Sequence, residues 1–383
     1  GGRGGGGFVL GGVGGGGGGG ANTAMLEMLG RVDTPALLVD LEALRSNIRT
    51  MAAFFEPLSA GLRPHFKTHK CKRIAHLQMD AGAIGMTCAK LGEAEILVSA
   101  GVRDVLIANQ VVGPLKIEHL MGLLGRGADV KVALDDEQNA RELSRATTAK
   151  GAELGVLVEV DVGMGRCGLL PGESLLELCR FVDDSKNLVF RGLMGYEGHT
   201  VFIEDRETRR VEATKALKRL EEARALVEDA GLEVEIVSAG GTGTYDVAGP
   251  WPGVTEVQAG SYVVLDARYH RIRPEFHPAL SVLSTVVSAS RRGVAVADAG
   301  LKSITTEFGL PEVIFPEGVK VQRLAEEHVI LALDDGVALK VGDRILLLPS
   351  HCCTTINLHE EFVVVEHMRE CGRWAIEGRG KVR

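Results

Sequence analysis

The chain has 383 residues, 45% of them hydrophobic and 25% charged, with 43 Lys plus Arg against 51 Asp plus Glu and a formal net charge of -8. That length is enough to bury a large core, most naturally as two domains, and the acidic balance argues against a general nucleic-acid or anionic-membrane surface while allowing a local basic pocket. No apolar run reaches the length needed to cross a bilayer, and seven cysteines, an odd number in a long chain, read as free thiols in a cytoplasmic or other reducing compartment.

Residues 1–20 form a glycine tract with too few side chains to offset its ordering. It is expected to be a disordered tail, and with one arginine and no amphipathic pattern it is poor evidence for organelle targeting. A short helix closed by Gly30 follows, and residues 34–40 read as a strand. Leu41, Leu44, Ile48, Met51, Phe54 and Phe55 then recur at helical spacing, with Asp40 placed to cap the helix through its carboxylate and Pro57 and Gly61 placed to stop it.

From there strands alternate with helices. The strands are expected at 62–67, 83–88, 104–108, 129–134, 155–161, 192–196, 234–237 and 256–264, with short connections. Eight such repeats are the signature of an α/β (β/α)8 TIM barrel. After Arg268 the texture changes to β-rich runs at 279–288, 293–297, 328–332, 343–348, 361–366 and 373–376. We therefore expect a barrel over 41–268 and a mostly β C-terminal domain over 269–383, joined by residues 21–40 because the strand near Ala36 has no barrel helix before it.

Arg63-Pro64-His65-Phe66-Lys67-Thr68-His69-Lys70 concentrates bases and nucleophiles. Pro64 biases Arg63 toward extended backbone, so Lys67 is expected to end a strand at the barrel mouth. A lysine there can form a Schiff base if its surroundings are apolar or cationic, and Arg63, His65 and Lys70 offer the cationic setting. The alternative is a solvated strand-end lysine.

The C-terminal ends of barrel strands face one pocket, which here gathers Lys67, Asp161 with Arg166, Tyr196 with His199, the glycine run Ser238-Ala239-Gly240-Gly241-Thr242-Gly243-Thr244, and Tyr262. The run can turn backbone N–H groups toward an oxyanion while Ser238 and Thr242 add hydroxyls, although a flexible loop has the same composition. It lacks the dinucleotide and Walker spacings. Arg166 could fix the charge state of a cofactor oxygen or ring nitrogen, or pair with Asp161; His199 could move a proton from a hydroxyl. In the β domain, residues 349–360 interrupt two strands. If that segment is extended, His351 and Cys353 point to one side and can share a divalent ion, with Cys352 turned away; two packed cysteines are the alternative.

Residues 34–40, the segment around Lys67, Gly195 to His199, Gly240-Gly241-Thr242 and Pro349 to Asn357 together resemble the D-threonine aldolase, D-3-hydroxyaspartate aldolase and D-serine dehydratase family, alanine-racemase-like fold-type III pyridoxal phosphate enzymes. The resemblance runs from Asp33 to the C-terminus. It implies that Lys67 holds the cofactor as a Schiff base, and that the glycine run, with Ser238, Gly240, Gly241 and Thr242, cradles the phosphate. It also implies that His65, Arg166, Tyr196 and Tyr262 contact the cofactor, and that His351 and Cys353 hold a divalent metal beside it. The substrate implied is a D-β-hydroxy amino acid, in a homodimer.

The metal histidine is followed two residues later by Cys353, as in the dehydratases, whereas the segments around Thr355 and His199 look aldolase-like. We favour the aldolase, with His199 or a metal-bound water as base and Mn or Mg as metal. The alternative is a D-serine or D-threo-3-hydroxyaspartate dehydratase with Zn. A racemase would need no metal, and a noncatalytic cofactor carrier would need no C-terminal domain.

Overall fold

The computed structural model describes residues 19–383, with side chains from Met25 onward. The tail expected over residues 1–20 lies outside the described residues, except for the two glycines that open the helix Gly19–Gly30. Strand β1, Ala36–Asp40, is buried throughout and runs directly into the helix Leu41–Phe55. Asp40 makes the junction, its Oδ1 accepting the N–H groups of Glu42 and Ala43 at 3.0 Å each. This is the cap read from the sequence, and it satisfies two of the helix's unpaired donors.

Contacts gather the chain into two units. One comprises Met51–Lys67, Lys72–Gly260 and Gly380–Arg383. Its strands are β2 (Gly61–Leu62), β3 (Met86–Cys88), β4 (Asp104–Ile107), β5 (Asp129–Leu134), β6 (Leu154–Glu159), β7 (Leu188–Met194), β8 (Ile236–Ala239) and β9 (Glu256–Val257). They pair in parallel in the order β2-β9-β8-β7-β6-β5-β4-β3, the (β/α)8 barrel expected from the sequence. The ends of that order meet at the segment before Lys67. His65 bridges Thr87, Thr87 N–H donates to Pro64 O at 2.8 Å and Phe66 N–H donates to Thr87 O at 2.7 Å.

The closing strand is shorter than its sequence implies. Regular pairing ends at Leu62, because Pro64 has no N–H to give the β3 side of the ladder, and Lys67 lies in the following turn rather than on a strand. The strand expected over 256–264 also shortens to β9 and gives way to a 3-10 turn, Ser261–Val263.

Leu106, Ala133, Leu157, Met194 and Ile236 pack together inside the barrel. Near the strand starts the filling is ionic. Arg63 Nε lies 2.8 Å from Glu256 Oε2 and Nη1 lies 2.6 Å from Asp104 Oδ1, while Lys131 Nζ lies 2.9 Å from Asp104 and 2.7 Å from Asp129. Gly85 leaves the room: a Cβ there would stand 2.3 Å from Arg63 Nη1. Burial works against the Arg63 charge, but Glu256 and Asp104 overcome it and hold the guanidinium above its ordinary pKa. Arg63's share of the expected cationic setting for Lys67 is corrected here, since Arg63 is neutralised by carboxylates that open β4 and β9.

The other unit comprises the described residues up to Thr50, Thr68–Cys71 and Ser261–Arg379. Its further strands are β10 (Leu280–Arg291), β11 (Val294–Ala297), β12 (Glu312–Phe315), β13 (Val319–Leu324), β14 (Val329–Leu333), β15 (Arg344–Leu348), β16 (Glu361–Glu366) and β17 (Arg369–Ala375). β1 lies between β10, antiparallel, and β16, parallel, in a nine-stranded sheet, and β15 joins β10 to β12. Met25, Leu29, Val32, Leu38, Leu283, Leu346 and Val363 fill one core cluster. β12 and β13 were not expected: β12 is only four residues long, too short to show a period, and β13 is largely solvent-facing. No helix among the described residues is long and apolar enough to cross a membrane.

Candidate active site

The barrel places Lys67, Arg166, Tyr196, His199 and residues 240–244 beyond the C-terminal ends of β2, β6, β7 and β8, with Ser238 in β8 itself, one residue before its end. Lys67 follows the closing bridge, and its N–H donates to His65 Nδ1 at 3.4 Å, so a neutral His65 ring carries its proton on Nε2. Tyr262, expected at a strand end, lies in the 3-10 turn of the other unit, fully buried with its ring 5.7 Å from that of Phe276.

The loop after β6 is held by Asp161, whose Oδ1 accepts the N–H groups of Gly163 at 2.9 Å and Gly165 at 3.0 Å. Asp161 is therefore a loop anchor. Arg166 reaches Glu159 instead, Nη2 to Oε1 at 3.8 Å, with its Cζ 5.9 Å from the centre of the Tyr196 ring.

Tyr196 in turn packs on the glycine run, where a Cβ on Gly241 would stand 3.1 Å from Tyr196 Cε2. Gly240 adopts φ +76, a left-handed conformation that favours glycine. Ser238 Oγ accepts from Gln258 Nε2 at 2.7 Å. A glycine cradle against a ring, at the same barrel end as a lysine, fits pyridoxal phosphate.

His199 is exposed in the loop after β7. Burial lowers its pKa and the Arg219 cation lowers it further, against Asp161 and Glu212, so the ring is neutral near neutral pH. Gly163 packs against both side chains; a Cβ there would meet Arg219 Nη1 at 2.7 Å and His199 Nε2 at 3.3 Å.

In the β unit, the segment expected to be extended is a short helix, Cys352–Ile356, with His351 in the extended conformation just before it. Buried Asp266 accepts the Cys352 N–H at 2.9 Å and so anchors the helix start. Cys352 is fully buried, whereas Cys353 is half-buried with Thr68 Oγ1 3.4 Å and Ser261 Oγ 3.7 Å from its sulfur.

His351 Nδ1 donates to Glu307 Oε1 at 2.8 Å. That bond leaves Nε2 as the ligating nitrogen and is the carboxylate-histidine arrangement found behind metal ligands. Burial lowers the His351 pKa, but Cys353 overcomes it and the imidazole is pushed up to about 9. Cys353 is held well below the ordinary thiol value by the Cys352 hydrogen bond and by His351, while burial pushes Cys352 up. A cysteine beside an oriented histidine is a donor set that fits a divalent ion, which binds as both groups give up their protons.

The barrel also contains a metal-capable group that sequence reasoning missed. Ligand atoms of Asp135, Glu159 and Cys167 lie within 4.8 Å of one another. Its two carboxylates already have partners: Glu159 accepts from Gln110 Nε2 at 2.5 Å and Asp135 from Gly168 N–H at 2.7 Å. Glu307 and Glu197 were missed as well. Glu307 had no signal in the sequence, whereas Glu197 had one, a charged residue between glycines at a strand end.

Known proteins resemble the chain along most of its length. The family model for the alanine racemase N-terminal domain matches residues 39–267, and that for a serine dehydratase domain matches 279–365. The chain is 37% identical to 3-hydroxy-D-aspartate aldolase of Paracoccus denitrificans (strain Pd 1222), over 91% of this chain and 93% of the relative. The chain belongs to the alanine-racemase-like, fold-type III pyridoxal phosphate family. Within that family it is 30% identical to D-threo-3-hydroxyaspartate dehydratase of Delftia sp. (strain HT23), over 86% and 93% of the two chains. The crystal structure of D-threonine aldolase from Filomicrobium marinum superposes with a TM-score of 0.90 at 39% identity, covering 93% of this chain and 98% of that one.

Proposed function

We propose that this pyridoxal-phosphate-dependent lyase is an aldolase that cleaves the Cα–Cβ bond of D-β-hydroxy-α-amino acids, giving glycine and an aldehyde. The observation that carries the proposal is the place of His199, in the loop three residues after Tyr196 and facing Gly163 together with the Arg219 cation, where an imidazole is suited to accept the proton of a β-hydroxyl. The greater identity to the two aldolases than to the dehydratase supports it.

Lys67 would hold the cofactor covalently, residues 238–242 its phosphate, and His65, Arg166, Tyr196 and Tyr262 the rest of it; His351 and Cys353 would hold the metal. When bound, pyridoxal phosphate supplies an electron sink at Cα and the divalent ion a Lewis acid for the β-hydroxyl oxygen. The protein's own part is positional and protonic. His199 takes the hydroxyl proton, Arg219 keeps His199 unprotonated until then, and Glu307 keeps His351 in its ligating tautomer. Mn or Mg is the expected metal and a homodimer the expected assembly.

One observation favours a dehydratase. Cys353 is a soft donor that prefers Zn, and a dehydratase would have Lys67 remove the Cα proton with loss of hydroxide. Incubation of the purified protein with pyridoxal phosphate, Mn and D-threonine separates the two. Glycine and acetaldehyde are expected; 2-oxobutyrate and ammonia would overturn the aldolase in favour of the dehydratase.

A further inference from the structure

Glu197 has the chemistry of a residue with a task. It is fully buried, although a glutamate in that state ordinarily requires a cation or several hydrogen bonds. Its Oε1 accepts the Thr244 hydroxyl at 2.5 Å and its Oε2 accepts the Gly240 N–H at 3.2 Å. One carboxylate therefore grips both ends of the turn 240–244.

The turn is closed internally as well. Thr244 N–H donates to Gly241 O at 3.1 Å, and Thr244 Oγ1 accepts the Gly241 N–H at 3.3 Å while donating to Glu197. Neighbouring groups leave little freedom, since a Cβ on Gly240 would stand 2.9 Å from Val257 Cγ1 and one on Gly243 would stand 2.3 Å from Val201 O. The Gly240 N–H, counted in the sequence among possible phosphate donors, is committed to this brace.

We propose that Glu197 is a positioning residue for the cofactor phosphate: by bridging Gly240 and Thr244 it holds the glycine turn in its binding shape before the cofactor arrives. This rests on reading the run as the phosphate cradle. A preshaped turn binds more tightly because its ordering does not have to be supplied at the moment of binding. A carboxylate suits the place because it offers acceptors to an O–H and an N–H at once, whereas an amide of the same shape offers one acceptor and one donor. Burial pushes the Glu197 carboxyl up, against the hydrogen bonds from Thr244 and Gly240.

The test compares pyridoxal phosphate with pyridoxal, which has the same aldehyde and no phosphate, titrated by absorbance into the full chain freed of cofactor. Wild type should favour pyridoxal phosphate. Glu197→Gln and the near-isosteric Thr244→Val should each weaken pyridoxal phosphate roughly ten-fold, the scale of one lost charged hydrogen bond, and leave pyridoxal unchanged; Thr244→Ser should restore the preference. Variants that bind both compounds as wild type does, or lose both in parallel, would overturn the positioning role. A wild type with no preference for the phosphorylated compound would overturn the cradle itself, which separates the two failures.

Discussion

His199 and Glu197 lie two residues apart in one loop, yet their surroundings assign them opposite duties. His199 is exposed at the surface but its ring is partly screened from water; that partial burial and Arg219 lower its pKa and favour its basic form. In the proposed aldolase, kcat/KM should rise with pH through that lowered pKa and level off above it. Arg219→Gln removes a cation that opposes protonation while Asp161 and Glu212 remain, so the His199 pKa rises and the acid limb of the profile should move to higher pH. A limb that stays in place, measured with D-threonine across that range, would remove His199 from the role of base. The histidine was legible in the sequence as a candidate, but nothing local showed what would hold it neutral, because Arg219 comes from the helix Arg206–Asp229 that follows the loop.

At the scale of the element, the segment from Arg63 to Lys67 closes the barrel and carries the candidate cofactor lysine in the turn beyond. Its order along the chain was legible, since Pro64 and the adjacent apolar residues mark a short extended piece. The partners of Arg63 were not, for Asp104 and Glu256 lie far away in sequence and meet it only when the barrel closes. Arg63→Met should destabilise the protein by about 3–5 kcal/mol, because it leaves buried Glu256 without its counter-ion, while Asp104 keeps Lys131. Arg63→Met with Glu256→Met should recover part of that loss, since both buried charges are then gone. Thermal or urea unfolding of the three proteins checks the order; equal stability of wild type and Arg63→Met would show that the ionic cluster contributes nothing to closure. Asp104 adds a pH signature. Burial raises its pKa, but Arg63 and Lys131 outweigh that and hold it below the ordinary carboxylate value. The stabilisation it contributes is thus present above the unfolded aspartate range and is lost as pH falls through the depressed pKa.

On the scale of the whole molecule, the two proposed cofactor functions belong to different units of the chain. Lys67→Ala should therefore lose the protein-bound pyridoxal absorbance near the visible edge together with turnover. His351→Ala should keep that absorbance while losing the stimulation of activity by added divalent metal. Spectra and metal titrations of the two variants check this, and an unchanged band in Lys67→Ala would remove the central lysine assignment.

Periodicity and short-range chemistry carried the architecture. Apolar spacing located eight barrel strands and the helix 41–55, and the Asp40 carboxylate announced its cap, because such features are settled within a few residues of backbone. The length of β9, the helical turn at Cys352–Ile356 and the pairing of Arg166 with Glu159 rather than Asp161 were decided by tertiary structure. So were the burial of Glu197 and the Glu307 bond to His351. Each of these depends on desolvation and on partners brought together by folding, and a charged residue's role follows from which neighbours replace its water. The chain order alone names the charge; only the fold supplies the partner.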